Sequence, residues 1–175
     1  MNDIELTLSD TTRLIAELAT RVAHLEDRQT ITDLVAAYGP AIDAGCADAV
    51  AEIWTSDGVY DVDTGVMRGH AEISAMVRGG MHQGFVQKGC AHIVEPGHVR
   101  IDGDTAVATG KSMLVVHGDD GFSVLRATAN RWELIRTEQG WKCARRVGRV
   151  LDGRPEAREL LASVDEGLTE IRVEE

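Results

Sequence analysis

Between residues 90 and 150 the chain leaves no room for a helix. Four strand-like segments, 90–101, 105–117, 122–136 and 141–150, follow one another. Only Asp102-Gly103-Asp104, Gly118-Asp119-Asp120-Gly121 and the four residues 137–140 separate them. Turns this short join hairpin neighbours, so consecutive strands must run antiparallel. Strands of this length twist and curl, and a curled sheet folded over helices encloses a cone.

The preceding half of the chain supplies the helices. Ser9, Asp10, Thr11 and Thr12 offer N-caps, and apolar residues then recur at helical spacing: Leu14, Ile15, Leu18, Val22 and Leu25. The pattern resumes at Ile31, Leu34, Val35, Tyr38 and Ile42, with the polar stretch Glu26-Asp27-Arg28-Gln29 dividing it in two. Gly45 is a natural stop, since glycine accepts the left-handed conformation at low strain. A short helix over 47–54 is expected to lead into a turn at Ser56-Asp57-Gly58. Period-two alternation over 59–63 then predicts a strand, and 69–78 a helix closed by Gly79-Gly80. Pro155 opens a C-terminal helix with an acidic tail. Helices first and a strand meander afterwards is an α+β order. The expected fold is a cone-shaped barrel, a strongly curved, mostly antiparallel sheet wrapped around N-terminal helices. The expected divisions are a helical extension (1–27), the barrel domain (28–152) and a C-terminal helix and tail (153–175).

Composition narrows the partners. The net charge is −11, and a surface that acidic repels phosphate backbones and anionic lipid, so neither nucleic acid nor membrane is an expected partner. No apolar run is long enough to span a bilayer, and the first ten residues lack the build of a signal peptide. Cys46, Cys90 and Cys143 are too widely spaced for a CxxC site, which suits a reducing cytoplasm, the expected location. Histidines at HxH, HxxxH or HExxH spacing are absent, as are GxGxxG and GxxxxGK[ST]. The expectation is no metal and no cofactor, with His24, His70, His82 and His98 on the surface or in loops.

Strand parity identifies a candidate pocket face. Phe122, Val124, Arg126, Thr128, Asn130, Trp132 and Leu134 share one side of their strand, mainly apolar with polar groups in the middle. His117 shares a face with Val115 and Met113, His92 with Cys90 and Val94, and Tyr60 with Val62. Isolated polar groups on apolar faces are typical of small-molecule sites. Asp43 stands at a helix C-terminus, where the macrodipole disfavours a carboxylate unless an imidazole such as His92 faces it. Arg145, Arg146 and Arg149 read as an ion-paired strand, with contact to an anionic substrate group as the alternative.

At these residues the sequence resembles the nuclear transport factor 2-like (SnoaL-like) superfamily, over about residues 29–149. The carriers are Tyr38-Gly-Pro-Ala-Ile-Asp43, Trp54-Thr-Ser-Asp-Gly-Val-Tyr60, Arg68-Gly-His, Ala91-His92, Asp102-Gly-Asp104 and Gly140-Trp141. Asp43, Tyr60, His92, His117 and Asn130 resemble the polar set of the scytalone dehydratases, with Thr128 in place of their serine and Ile42 in place of a tyrosine. Tyr38, Asp43 and His92 are similar to the Tyr–Asp–His set of bacterial bile-acid dehydratases. The Asp43–His92 pair also resembles that of lindane dehydrochlorinase, whose lysine is replaced here by Tyr38. The resemblance implies a cofactor-independent lyase of dehydratase type, acting on a small hydrophobic carbonyl or enol compound. In that reading Asp43, His92, Tyr60, Tyr38 and His117 are catalytic, and Asn130, Thr128, Trp132 and Phe122 bind substrate. A ketosteroid-isomerase-like isomerase or polyketide cyclase is the first alternative, and a non-catalytic binding or assembly module the second. A homo-oligomer, dimer or trimer, is expected from the extra N-terminal helix.

Overall fold

A computed structural model of the chain describes residues 7–95 and 97–168; the acidic tail expected at the C-terminus lies largely outside them. The polypeptide opens with one long helix, α1 (Leu8–Asp43). Its N-cap is Thr7, whose side chain accepts from the Asp10 backbone while the Asp10 carboxylate reaches back, a reciprocal capping box that starts the helix ahead of the expected caps. The helix is not divided at residues 26–29. Asp27 instead accepts two bonds from the Arg136 guanidinium, at 2.8 and 2.6 Å, and one from Trp141 Nε1, at 3.0 Å. The polar stretch is thus where α1 is buckled to the sheet. Gly45, at φ +67°, ends the turn after the helix as expected.

Helix α2 (Ala47–Ala51) is shorter than its sequence suggests, and β1 (Trp54–Val62) begins where a helix end and turn were expected. The reason is tertiary. Trp54 pairs with Cys143 of β7 (Gly140–Val150), and an irregularity between Trp54 and Val59 lets the strand bend around the core. β2 (Gly65–Arg68), α3 (Gly69–Arg78) and α4 (Gly80–Lys88) follow. Helix α4 escaped the pattern because Gly79, Gly80 and Gly84 mimic a loop. The segment expected as one strand from Cys90 is two, β3 (Cys90–Val94) and β4 (His98–Asp102), both paired with β5 (Thr105–Gly118). Between them Gly97 lies flat against β5: a Cβ there would sit 1.7 Å from the Thr109 carbonyl oxygen.

β6 (Gly121–Thr137) and β7 complete a seven-stranded sheet in the order β2-β1-β7-β6-β5-β3, with β4 also on β5. All pairs are antiparallel except β1 with β7. Bulges at Leu114/Val115 and Glu133/Leu134 add curvature. The second half of α1 fills the hollow with Ile31, Val35, Tyr38 and Ile42 against Trp54, Trp132, Leu134 and Cys143. On the outer face, α5 (Pro155–Ala162) and a 3-10 turn (Ser163–Asp165) are fastened by buried Arg131. It donates to Ser163, to the Glu166 and Gly167 carbonyls, and to Glu133. No described helix is long and apolar enough to cross a membrane, and the three cysteines are free.

Candidate active site

Helix α1 delivers Asp43 to strand β3, and one glycine sets how closely. A Cβ on Gly39 would lie 2.4 Å from the His92 carbonyl oxygen, so the helix rests directly on the strand backbone. One turn later the Asp43 carboxylate meets His92. Oδ1 is 2.6 Å from the ring Nδ1, and Oδ2 accepts the His92 backbone N–H at 2.7 Å. These two contacts offset the unfavourable macrodipole at the helix end and fix the imidazole by both its ring and its main chain. With Nδ1–H given to the carboxylate, Nε2 carries the lone pair. Burial is the larger influence on His92 and outweighs the raising effect of Asp43, so its pKa lies below the ordinary 6.5 and the ring is neutral at pH 7.

His92 lines a two-lobed cavity. The outer lobe, about 140 Å³, runs between Tyr38, Ile42, Tyr60, Met76, His82 and Phe85. The inner lobe, about 30 Å³, lies between Tyr38, Tyr60, His92, Ser112, Thr128 and Arg146. The Tyr38 and Tyr60 hydroxyls are 3.2 Å apart. Burial pushes the Tyr38 pKa well above its usual 10, so the phenol stays protonated and available as a donor.

Arg146 forms the floor, a place its sequence position within a basic cluster did not assign to it. It is 3% exposed, and its guanidinium carbon lies 4.2 Å from the ring centres of both Tyr38 and Trp132 and 4.9 Å from Tyr60. Nε and Nη2 donate to Asn130 Oδ1 at 3.2 and 2.8 Å, while Nη1 is buried with no hydrogen-bond partner among the described residues. Asn130 in turn donates to Ser112 Oγ and the Thr128 carbonyl, which leaves its own amide satisfied. The ion-paired reading holds for the neighbours: Arg145 and Arg149 both reach Asp61 on the other face. Parity is the signal that separates them, since residues 145 and 149 share a side of β7 and 146 does not.

The structure therefore brings Asp43, His92, Tyr38, Tyr60, Thr128 and Asn130 together. It does not bring the other three candidates to the cavity. His117 and Phe122 face each other across the far end of the β5–β6 hairpin, ring centres 5.0 Å apart, with Phe122 74% exposed. β7 covers β6 only from Thr128 onward, and the bulge beside Val115 breaks the parity that seemed to extend the pocket face to Phe122. Trp132 is fully buried beneath Tyr38 and Arg146, supporting the floor rather than lining the cavity. His82 also differs from expectation: it is buried, bonds the Ile42 carbonyl at 2.8 Å, and has its ring centre 5.7 Å from that of His92, the two rings tilted at 45°.

Among the described residues, Asp43, Cys90 and His92 form the grouping whose donor atoms could hold a metal ion, all within 4.8 Å. Their chemistry suits a proton network better. Burial pushes the Cys90 thiol up to about 11, so it donates to Asp43 Oδ1 as S–H, and a proton occupies the short gap between Asp43 and His92.

The SnoaL-like domain family matches residues 23–147. The chain belongs to that family. Among solved structures, an NTF2-like protein with a cystatin-like fold from Novosphingobium aromaticivorans is 38% identical, over 91% of this chain and 99% of that one, with a TM-score of 0.81. A candidate aromatic ring hydroxylase from the same organism is 29% identical over 73% of this chain and 90% of its own, with a TM-score of 0.56. The fold is shared with a protein of unknown function from Mycobacterium tuberculosis, at 18% identity over 85% of this chain and 92% of that one (TM-score 0.64). No protein of curated function matches the sequence. The SnoaL-like scaffold thus accounts for the cone, and the site must be argued from its own residues.

Proposed function

We propose that this SnoaL-like protein is a cofactor-independent lyase that eliminates water from a small, largely apolar β-hydroxy carbonyl compound. The observation that carries the reading is the 2.6 Å contact between Asp43 and a neutral His92 whose free nitrogen borders a cavity. His92 Nε2 takes the proton next to the carbonyl, and Asp43 steadies the imidazolium that forms. The electron pair passes to the carbonyl oxygen as an enolate. The inner lobe is large enough for an oxygen but not a ring. There the unpartnered Arg146 Nη1, aided by the tyrosine hydroxyls, meets that oxygen. The enolate then re-forms the carbonyl, the β carbon–oxygen bond breaks, and the leaving hydroxyl takes the proton back from His92 as water. The carbon skeleton occupies the outer lobe, whose lining is mostly apolar.

A binding or assembly module has no need of a neutral base held against a carboxylate, nor of an unpaired buried guanidinium beside it. An isomerase would use the same base and oxyanion donor, and product mass separates the two reactions. The test is a screen of β-hydroxy ketones for water loss by mass spectrometry. His92→Ala and Asp43→Asn each lower turnover a hundredfold or more, and Arg146→Met lowers it by about 10²–10³. A folded His92→Ala protein with full activity removes the dyad from the mechanism, and a product of unchanged mass selects the isomerase.

A further inference from the structure

Among the described residues, the first half of α1 has nothing to pack on. Residues 11–26 are exposed without exception, so the helix projects from the cone as a free rod. A single helix of this length is marginal in water on its own. Its exposed side nevertheless carries large apolar residues: Leu8, Leu14, Ile15, Leu18, Val22 and Leu25. Five of the six fall on one heptad seam over three heptads, with Leu8, Ile15 and Val22 at position a and Leu18 and Leu25 at position d; Thr11 fills the first d and Leu14 the first g. Ile and Val at a with Leu at d is the combination that favours two parallel strands.

We propose that residues 8–28 are the dimerisation element of the protein, pairing in parallel with the same segment of a second copy as a two-stranded coiled coil. Charge supports the partner and its direction. Arg21 is at position g and Glu26 at the following e, so a parallel in-register pair sets Arg21 of each copy against Glu26 of the other. Neither has an ion-pair partner in its own chain among the described residues. An antiparallel pair would instead set g against g and e against e, so that Arg21 could meet only Leu14, Arg21 or Arg28 and Glu26 only Thr12, Ala19 or Glu26, never an opposite charge. Geometry permits the arrangement. At ~100° per residue, the apolar stripe points ~150° away from Ile31, Val35, Tyr38 and Ile42, which enter the cone. The two seams therefore lie back to back, and each cone hangs on the outside of its own helix. Asp27, bound to Arg136 and Trp141, fixes the rod to its domain just where the seam ends.

The experiment is the solution mass of the full chain, by sedimentation equilibrium. The expected value is twice the 19.0 kDa of one chain. The double substitution Leu18→Glu/Val22→Glu gives a monomer whose near-ultraviolet circular dichroism is unchanged, because neither residue touches the core. Arg21→Glu weakens the dimer at least tenfold, and Arg21→Glu/Glu26→Arg restores it. Val22→Cys in a Cys46→Ser background forms an interchain disulfide, as only in-register parallel helices allow. A monomeric or trimeric native protein, or a dimer indifferent to Leu18→Glu/Val22→Glu, overturns the proposal.

Discussion

Arg145, Arg146 and Arg149 look equivalent along the chain, yet Arg145 and Arg149 neutralise Asp61 outside the cone while Arg146 sits inside it with a free N–H. One step of strand parity separates a half-buried ion pair from a fully buried charge awaiting an oxygen. His92 shows the same dependence on surroundings. Any histidine starts near 6.5; here burial moves it lower, with Asp43 opposing. The base form is therefore the resident form at neutral pH. The predicted kcat/KM of the dehydration is flat through pH 7 and falls tenfold per unit only below a midpoint lower than 6.5. In Asp43→Asn, where the raising influence is gone, the residual activity shows a midpoint lower still. A pH–rate profile with its acidic limb at or above 6.5 contradicts this account. Asp43 and His92 could be singled out from residue type and helix position, whereas the free nitrogen of Arg146 depends on which neighbours surround it.

At the scale of elements, the contact between α1 and β3 positions the dyad. Gly39 is what lets helix and strand backbones touch. Gly39→Ala forces a Cβ against the His92 carbonyl, and backbone cannot yield as a side chain does. The expected result is a loss of ~1–3 kcal/mol in stability, read by urea denaturation. A fall in turnover larger than the stability loss explains accompanies it, as Asp43 is carried away from His92. Unchanged stability and turnover would mean that the helix packs less closely than described. The helical period of α1 was plain from its apolar spacing, but its continuity through residues 26–29 was not. A helix-period argument sees a polar interruption there, and only the sheet reveals that Asp27 is polar because Arg136 and Trp141 bind it. That pairing holds the Asp27 carboxyl down at about 2. Likewise α4 was hidden by its glycines, and with it the burial of His82.

Over the whole molecule, one buried side chain of the sheet gathers the segment that follows α5. Arg131 holds the C-terminal segment, 95% of its side chain buried, through bonds to Ser163, Glu166, Gly167 and Glu133. Arg131→Ala is predicted to lower global stability by about 3–5 kcal/mol, while the cavity on the opposite face of the sheet keeps its residues. Denaturant titration beside an activity assay checks this: a loss below about 1 kcal/mol, the scale of an exposed ion pair, would make the anchor dispensable. The α+β order, the antiparallel meander and the helices that fill it followed from the sequence alone, because periodicity and turn chemistry are local and act on neighbours. The position of β1 beside β7, the split of β3 from β4 and the end of the pocket face before Phe122 did not. Those were decided by pairings between residues far apart in the chain, by bulges that reset parity, and by how far each strand is covered by the next. The cavity belongs to this second group, since its floor and base come together only once the sheet has curled over α1.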